Sequence, residues 1–184
     1  MNQNENSPQS ITTFQELVTA ISEEERTKYV EILNSISIPI EEYDKYESWS
    51  EGGYTRNCIV ENEAFELILI CWAPGQSTPV HDHGGEECWV YIANGEVEEK
   101  MFEMTLDGKL NETKSSNRKK GNITYMVDMM GYHSLANITD KRACTLHLYA
   151  KPIESCNIFD SETKAFVNKD MTYDTVANLN AIKQ

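Results

Sequence analysis

Four histidines occur in the 184-residue chain, and all fall between residues 81 and 147. His81 and His83 stand two apart, so on a strand, where side chains alternate, both imidazoles face one way and can reach one ion. His147 and Tyr149 repeat that spacing, which turns both rings to one face and Leu146 and Leu148 to the other. Neutral imidazoles in an open ligand set suit several divalent metals, so ligand chemistry alone leaves iron, zinc, nickel and copper open. The cysteines point elsewhere. Cys58, Cys71, Cys88, Cys144 and Cys156 are odd in number and contain no CxxC pair, which argues against a disulfide framework and a structural zinc knuckle. All but Cys88 read as small buried hydrophobes.

The histidines need a strand scaffold, and the pattern supplies one. Residues 1–10 are polar and predict an unfolded tail, ahead of a single domain over 11–184. Thr13 with Glu16 reads as a capping box opening a helix that carries Phe14, Leu17, Val18 and Ile21 on one face. Ser22 with Glu25 predicts a second helix carrying Tyr29, Val30, Leu33 and Ile36 and stopped by Pro39, and Ile40 to Tyr46 a short third. These elements form a helical cap over residues 11–47. From residue 52 to 160 the pattern is that of strands: Tyr54 to Val60 and Phe65 to Trp72 as a hairpin, then Cys88 to Ile92, Glu96 to Met104, Ile123 to Val127 and Cys144 to Tyr149. Asn94-Gly95, Asp107-Gly108 and the polar stretch Asn111 to Asn122 read as turns between them. A few helices followed by many short strands predict a mainly β fold, a barrel or sandwich with N-terminal α-helices.

Charge narrows the partners. The formal net charge is -14, so phosphate backbones and anionic membrane surfaces repel the chain, and neither nucleic acid nor membrane is an expected partner. The sequence has no apolar run of roughly 18 residues, the length a spanning helix needs. Its N-terminal stretch has neither a basic region nor an apolar core of the secretory kind, so the expected location is cytoplasmic. The acidic surface and short chain favour a monomer.

The stretch Gly75-x5-His81-x-His83-x4-Cys88-x6-Gly95 resembles the first motif of the cupin superfamily, with cysteine where a glutamate ligand usually stands. His133-x3-Asn137, with Gly131 two residues before the histidine, resembles the second. In cupins these motifs meet inside a small jelly-roll-like β-barrel, so the resemblance implies His81, His83 and His133 as metal ligands. Glu86 and Glu87 stand close to where a fourth ligand would come from, although Glu87 would leave the downstream glycine one residue too far away. A narrower family fits better still. CWAPG at Cys71 to Gly75, HDH at His81 to His83 with Cys88 five residues on, YTRN at Tyr54 to Asn57, and TLHLY at Thr145 to Tyr149 are similar, in order and spacing, to segments of the cysteine dioxygenases. The similarity covers roughly Ile40 to Asp160.

That resemblance implies Fe(II) as the cofactor and L-cysteine and dioxygen as the substrates, with cysteine sulfinate as the product. It assigns Arg56 to the substrate carboxylate, a role that suits a planar fork that stays charged when buried, with Tyr54 assisting. It places the Tyr149 hydroxyl beside the iron, hydrogen-bonded to His147, and puts Cys88 close enough for a thioether crosslink to the tyrosine ring, as in eukaryotic-type members. Trp72 is read as packing. The chain departs from the family pattern at Thr145, where serine is usual, and at Ala150-Lys151-Pro152, where consecutive prolines are common. Two alternatives stay open: a dioxygenase of 3-mercaptopropionate or another small thiol, whose members commonly carry glutamine at Arg56 and glycine at Cys88, and a non-catalytic metal-binding cupin.

Overall fold

The computed structural model describes residues 10–177 and Leu179, so the tail expected at the N-terminus lies, but for Ser10, outside the described residues. Helix α1 (Phe14–Glu23) starts as expected: the Thr13 hydroxyl accepts the Glu16 N–H (3.1 Å), the Glu16 carboxylate accepts the Thr13 N–H (3.2 Å), and Phe14, Leu17, Val18 and Ile21 are buried. The second capping box does not form. The Ser22 hydroxyl instead donates to the Val18 carbonyl (2.7 Å) inside α1, and the chain enters a 3-10 turn, Arg26–Lys28, before α2 (Tyr29–Asn34). From that start the helical period buries Tyr29, Ile32 and Leu33 and turns Val30 to solvent. Helix α2 ends five residues short of Pro39, which precedes α3 (Ile40–Tyr43) as its N-cap.

The remainder is strand: β1 (Thr55–Glu61), β2 (Glu66–Trp72), β3 (Cys88–Asn94), β4 (Glu96–Met104), β5 (Leu110–Lys119), β6 (Ile123–Met126), β7 (Tyr132–Ala136), β8 (Ala143–Tyr149), β9 (Ser155–Asp160), β10 (Ala165–Asp170) and β11 (Thr175–Val176). One sheet has the order β11-β1-β2-β8-β3-β6; the others are β5-β4-β7 and β10-β9. The segment around His81 joins these two smaller sheets, bridging to His133 on β7 and to Ile158 on β9. The result is two facing layers of the cupin type, mainly β, with the helices on the outside. The stretch Asn111 to Asn122, read as a turn, is mostly strand β5. Its side chains are largely exposed, so no apolar alternation marks it, and nine register pairs to β4 hold it in place.

Strands β2, β3 and β8 are buried on both faces, which is why their sequences are almost wholly apolar. Leu67, Leu69 and Cys71 pack under the helices, whereas Ile68, Ile70 and Trp72 face the interior between the sheets. Strand β8 splits likewise. Cys144, Leu146 and Leu148 join the helical layer, leaving Thr145, His147 and Tyr149 for the interior face, as the spacing predicts.

Candidate metal centre

His81, His83 and His133 converge, each offering a ring nitrogen, with those three atoms all within 4.8 Å of one another. Backbone bonds set two of the three. The His81 N–H donates to the His133 carbonyl (2.9 Å) and the His133 N–H to the His81 carbonyl (3.1 Å). His83 is fixed by Asp128, whose two carboxylate oxygens accept the N–H groups of His83 and Gly85 (2.7 Å each). Gly84 between them has φ +61°, and a Cβ there would lie 2.2 Å from the Ser155 carbonyl oxygen, so this turn admits only glycine.

Hydrogen bonds also orient the rings. His81 Nδ1 lies 3.0 Å from the Pro79 carbonyl and His133 Nδ1 lies 3.3 Å from Glu99 Oε1, so each Nδ1 carries the proton and each Nε2 is left as a lone-pair donor. Burial, then the neighbouring His133, pushes the pKa of His81 down to about 3 and that of His83 well below its usual value, so both rings stay neutral. His133 Nε2 and both nitrogens of His83 are buried without a hydrogen-bond partner. Orphaned buried nitrogens are costly, and a divalent cation that takes one nitrogen from each ring removes part of that cost, so the donor set fits a metal ion. Glu86 and Glu87 do not join it. Glu87 accepts from the Tyr125 hydroxyl (2.6 Å) and pairs with Arg26 (3.3 Å), away from the histidines.

Beside the cluster lies a small cavity of about 40 Å³, lined among others by Tyr54, Arg56, His81, His147, Tyr149 and Cys156. It suits only a small molecule. Tyr54 packs against Trp72 with ring centroids 5.0 Å apart. Tyr149 pairs in register with Cys88 on β3 and with Glu66 on β2, and burial above all, then Cys88, raises its pKa well above the usual value. Burial works against the charge on Arg56, and the neighbouring Glu66 carboxylate favours it.

One expected bond is not made. His147 Nε2 meets the Thr145 hydroxyl (2.9 Å) rather than the Tyr149 hydroxyl, and the two rings lie nearly parallel with centroids 6.4 Å apart. Two residues along a strand span about 6.6 Å, which keeps the rings side by side. Thr145 also accepts the Trp72 indole N–H (3.0 Å), so one hydroxyl links the Trp72 indole to His147 Nε2. Thr145 and Trp72 thus orient His147, a role that reading Trp72 as packing missed.

The family model described as "Cysteine dioxygenase type I" matches residues 1–162. This chain belongs to the cysteine dioxygenase type I family. Curated relatives include "Cysteine dioxygenase type 1" of Homo sapiens, 33% identical over 127 residues (66% of this chain, 63% of the relative), and that of Danio rerio, 28% identical over 138 residues (72% and 69%). The chain therefore aligns with less than two thirds of the human protein's length. Among solved structures, TT1209 from Thermus thermophilus shares the fold, with TM-score 0.50 and 19% identity over 61% of this chain and 98% of that one. No described helix is long and apolar enough to cross a membrane.

Within this family frame the least visible contributor is Glu99. It is almost fully buried, accepts from His133 Nδ1, Thr124 and Arg118 (Nε, 2.9 Å), and so fixes the His133 ring. Its signal was the alternation from Val97, which turns Glu99 inward. Glu99→Ala is expected to weaken metal binding about 10- to 100-fold, the usual loss when a group that orients a metal-bound histidine is removed. Metal titration of the apo protein measures it.

Proposed function

We propose that this chain is a thiol dioxygenase that oxidises L-cysteine to cysteine sulfinate at an Fe(II) ion held by His81, His83 and His133. The observation that carries the reading is the pairing of a three-imidazole cluster with the Arg56 guanidinium on the wall of the same small cavity. Bound iron supplies a Lewis acid that lowers the pKa of a coordinating thiol and a redox centre for dioxygen. The protein supplies the rest. Arg56, 12% exposed at its side chain, offers a planar charged fork to the substrate carboxylate, and Tyr54 closes the wall beside it. Tyr149 keeps its phenolic proton and so presents a hydrogen-bond donor to the cavity, with His147 held beside it by Thr145. The apolar walls, Ile70, Leu135 and Ile153, exclude water from the thiol.

Cys88 and Tyr149, cross-strand partners buried at 0% and 3% exposure, are the pair for a thioether. Forming it joins Sγ to a ring carbon, displaces one hydrogen from each, and passes two electrons to dioxygen. The chain is proposed to act in the cytoplasm.

Oxygen uptake by the iron-loaded protein tests the reading with cysteine, 3-mercaptopropionate and cysteamine. Cysteine is expected to give the highest kcat/KM, with one dioxygen consumed per sulfinate formed. A much higher kcat/KM for 3-mercaptopropionate replaces the substrate, and no uptake with any thiol leaves a metal-binding cupin. Intact mass after turnover reads the crosslink as the loss of two hydrogens, absent from Cys88→Ala.

A further inference from the structure

Past residue 162, where the family match ends, the chain returns along β1 and grips Arg56. The Arg56 N–H donates to Asp174 Oδ2 (2.8 Å), the Asp174 N–H donates to the Arg56 carbonyl (2.7 Å), and Arg56 Nε–H donates to the Thr172 carbonyl (3.1 Å). Thr175 and Val176 then pair with Asn57 and Cys58 in β1. Tyr173, between these contacts, sends its hydroxyl to Oε1 of Glu66.

Glu66 is itself unusual. It is fully buried at the start of an apolar strand, its Oε2 accepts the Ile153 N–H (3.1 Å), and its Oε1 lies 3.9 Å from Arg56 Nη2. A buried carboxylate is costly unless paired, and an apolar residue at this position would pack without that cost. Glu66 does not line the cavity, so it has no direct reach to a molecule there, whereas Arg56 does line it. Arg56 Nη2, for its part, is buried without a hydrogen-bond partner. The tethers hold the guanidinium while leaving hydrogen-bonding capacity unused.

We propose that Glu66 and the returning segment Thr172–Asp174 are positioning elements for Arg56, fixing the plane of its guanidinium so that the cavity selects small thiols that carry a carboxylate. The inference rests on the functional reading above and deepens it. Recognition of a carboxylate by a guanidinium depends on the two planes matching, and a long side chain free to turn must lose that freedom on binding. Here the Thr172 carbonyl, bonded to Nε–H, and the Glu66 charge 3.9 Å from Nη2 restrict that freedom beforehand.

The test compares Tyr173→Phe and Glu66→Gln with the wild type, each carrying its metal, under argon. Calorimetry gives dissociation constants for cysteine and 3-mercaptopropionate, which carry a carboxylate, and for cysteamine, which does not. Both variants are expected to bind the two carboxylate thiols about tenfold more weakly, a factor worth one misaligned charge-assisted hydrogen bond, while cysteamine changes by less than about twofold. Tyr173→Phe keeps the ring and loses only the hydroxyl, so thermal melting shows that it folds. Unchanged or tighter cysteine binding overturns the proposal, as does an equal loss for all three thiols. A wild type that binds cysteamine as tightly as cysteine removes Arg56 as the carboxylate site, which is a failure of the functional reading and is visible before any variant is compared.

Discussion

Alanine in place of His83 strips the centre of its metal. His83 is fully buried and both of its ring nitrogens lack a protein partner, so the role proposed for it is to hold the ion rather than to support the fold. Metal affinity is expected to fall by more than about 100-fold, because groups that merely orient a bound histidine already cost up to that much. Oxygen uptake with cysteine falls at least in proportion. The fold survives: the apo variant should melt close to the apo wild type, while the rise in Tm that excess metal gives the wild type disappears. Metal analysis alongside melting curves decides it, and a variant that keeps wild-type affinity places the ion elsewhere.

Glutamine in place of Arg56 has the next largest effect. It retains an amide on the cavity wall and removes the charge, so kcat/KM for cysteine is expected to drop by about 30- to 5,000-fold, the range of roughly 2–5 kcal/mol for truncating one partner of a desolvated charge pair. The loss falls mainly on KM, and steady-state assays with cysteine and 3-mercaptopropionate read it. Stability responds as well. Burial already raises the pKa of Glu66, and Arg56 is among the groups that hold it down, so removing the cation raises it further. A carboxyl whose folded pKa lies above its unfolded value contributes stability at low pH and loses it as pH rises through the folded value. Melting temperatures of Arg56→Gln should therefore fall further behind the wild type as pH climbs from the ordinary carboxylate range toward neutrality. A gap that shrinks instead means that Arg56 does not hold the charge of Glu66.

Legibility followed burial. Strands β2, β3 and β8 were readable because both faces are covered, which leaves runs such as ELILICW and ACTLHLY that nothing but a central strand explains. Strand β5 was not, because LNETKSSNRK faces solvent and owes its conformation to pairing with β4. Strand β7, which carries His133, has only five residues and alternates buried with half-buried positions, too little to stand out. In α2 the starting point moved, and with it the buried face. The cluster of His81, His83 and His133 was visible in spacing and in family resemblance. The grip on Arg56 was not, since it uses the main-chain carbonyl of Thr172, and a carbonyl has no signature in sequence. Glu66 was equally hidden, because its partners Tyr173 and Ile153 lie 107 and 87 residues away.

The reciprocal peptide bonds between His81 and His133 reach beyond the centre itself. Two of the three imidazoles hang from one short ladder, so the span between them is written into the backbone when the chain folds. An arriving ion meets a rigid jaw and does not have to gather its own ligands. The ligand backbone is thereby ordered by folding itself, and an ion bound there adds its binding energy to a fold already formed.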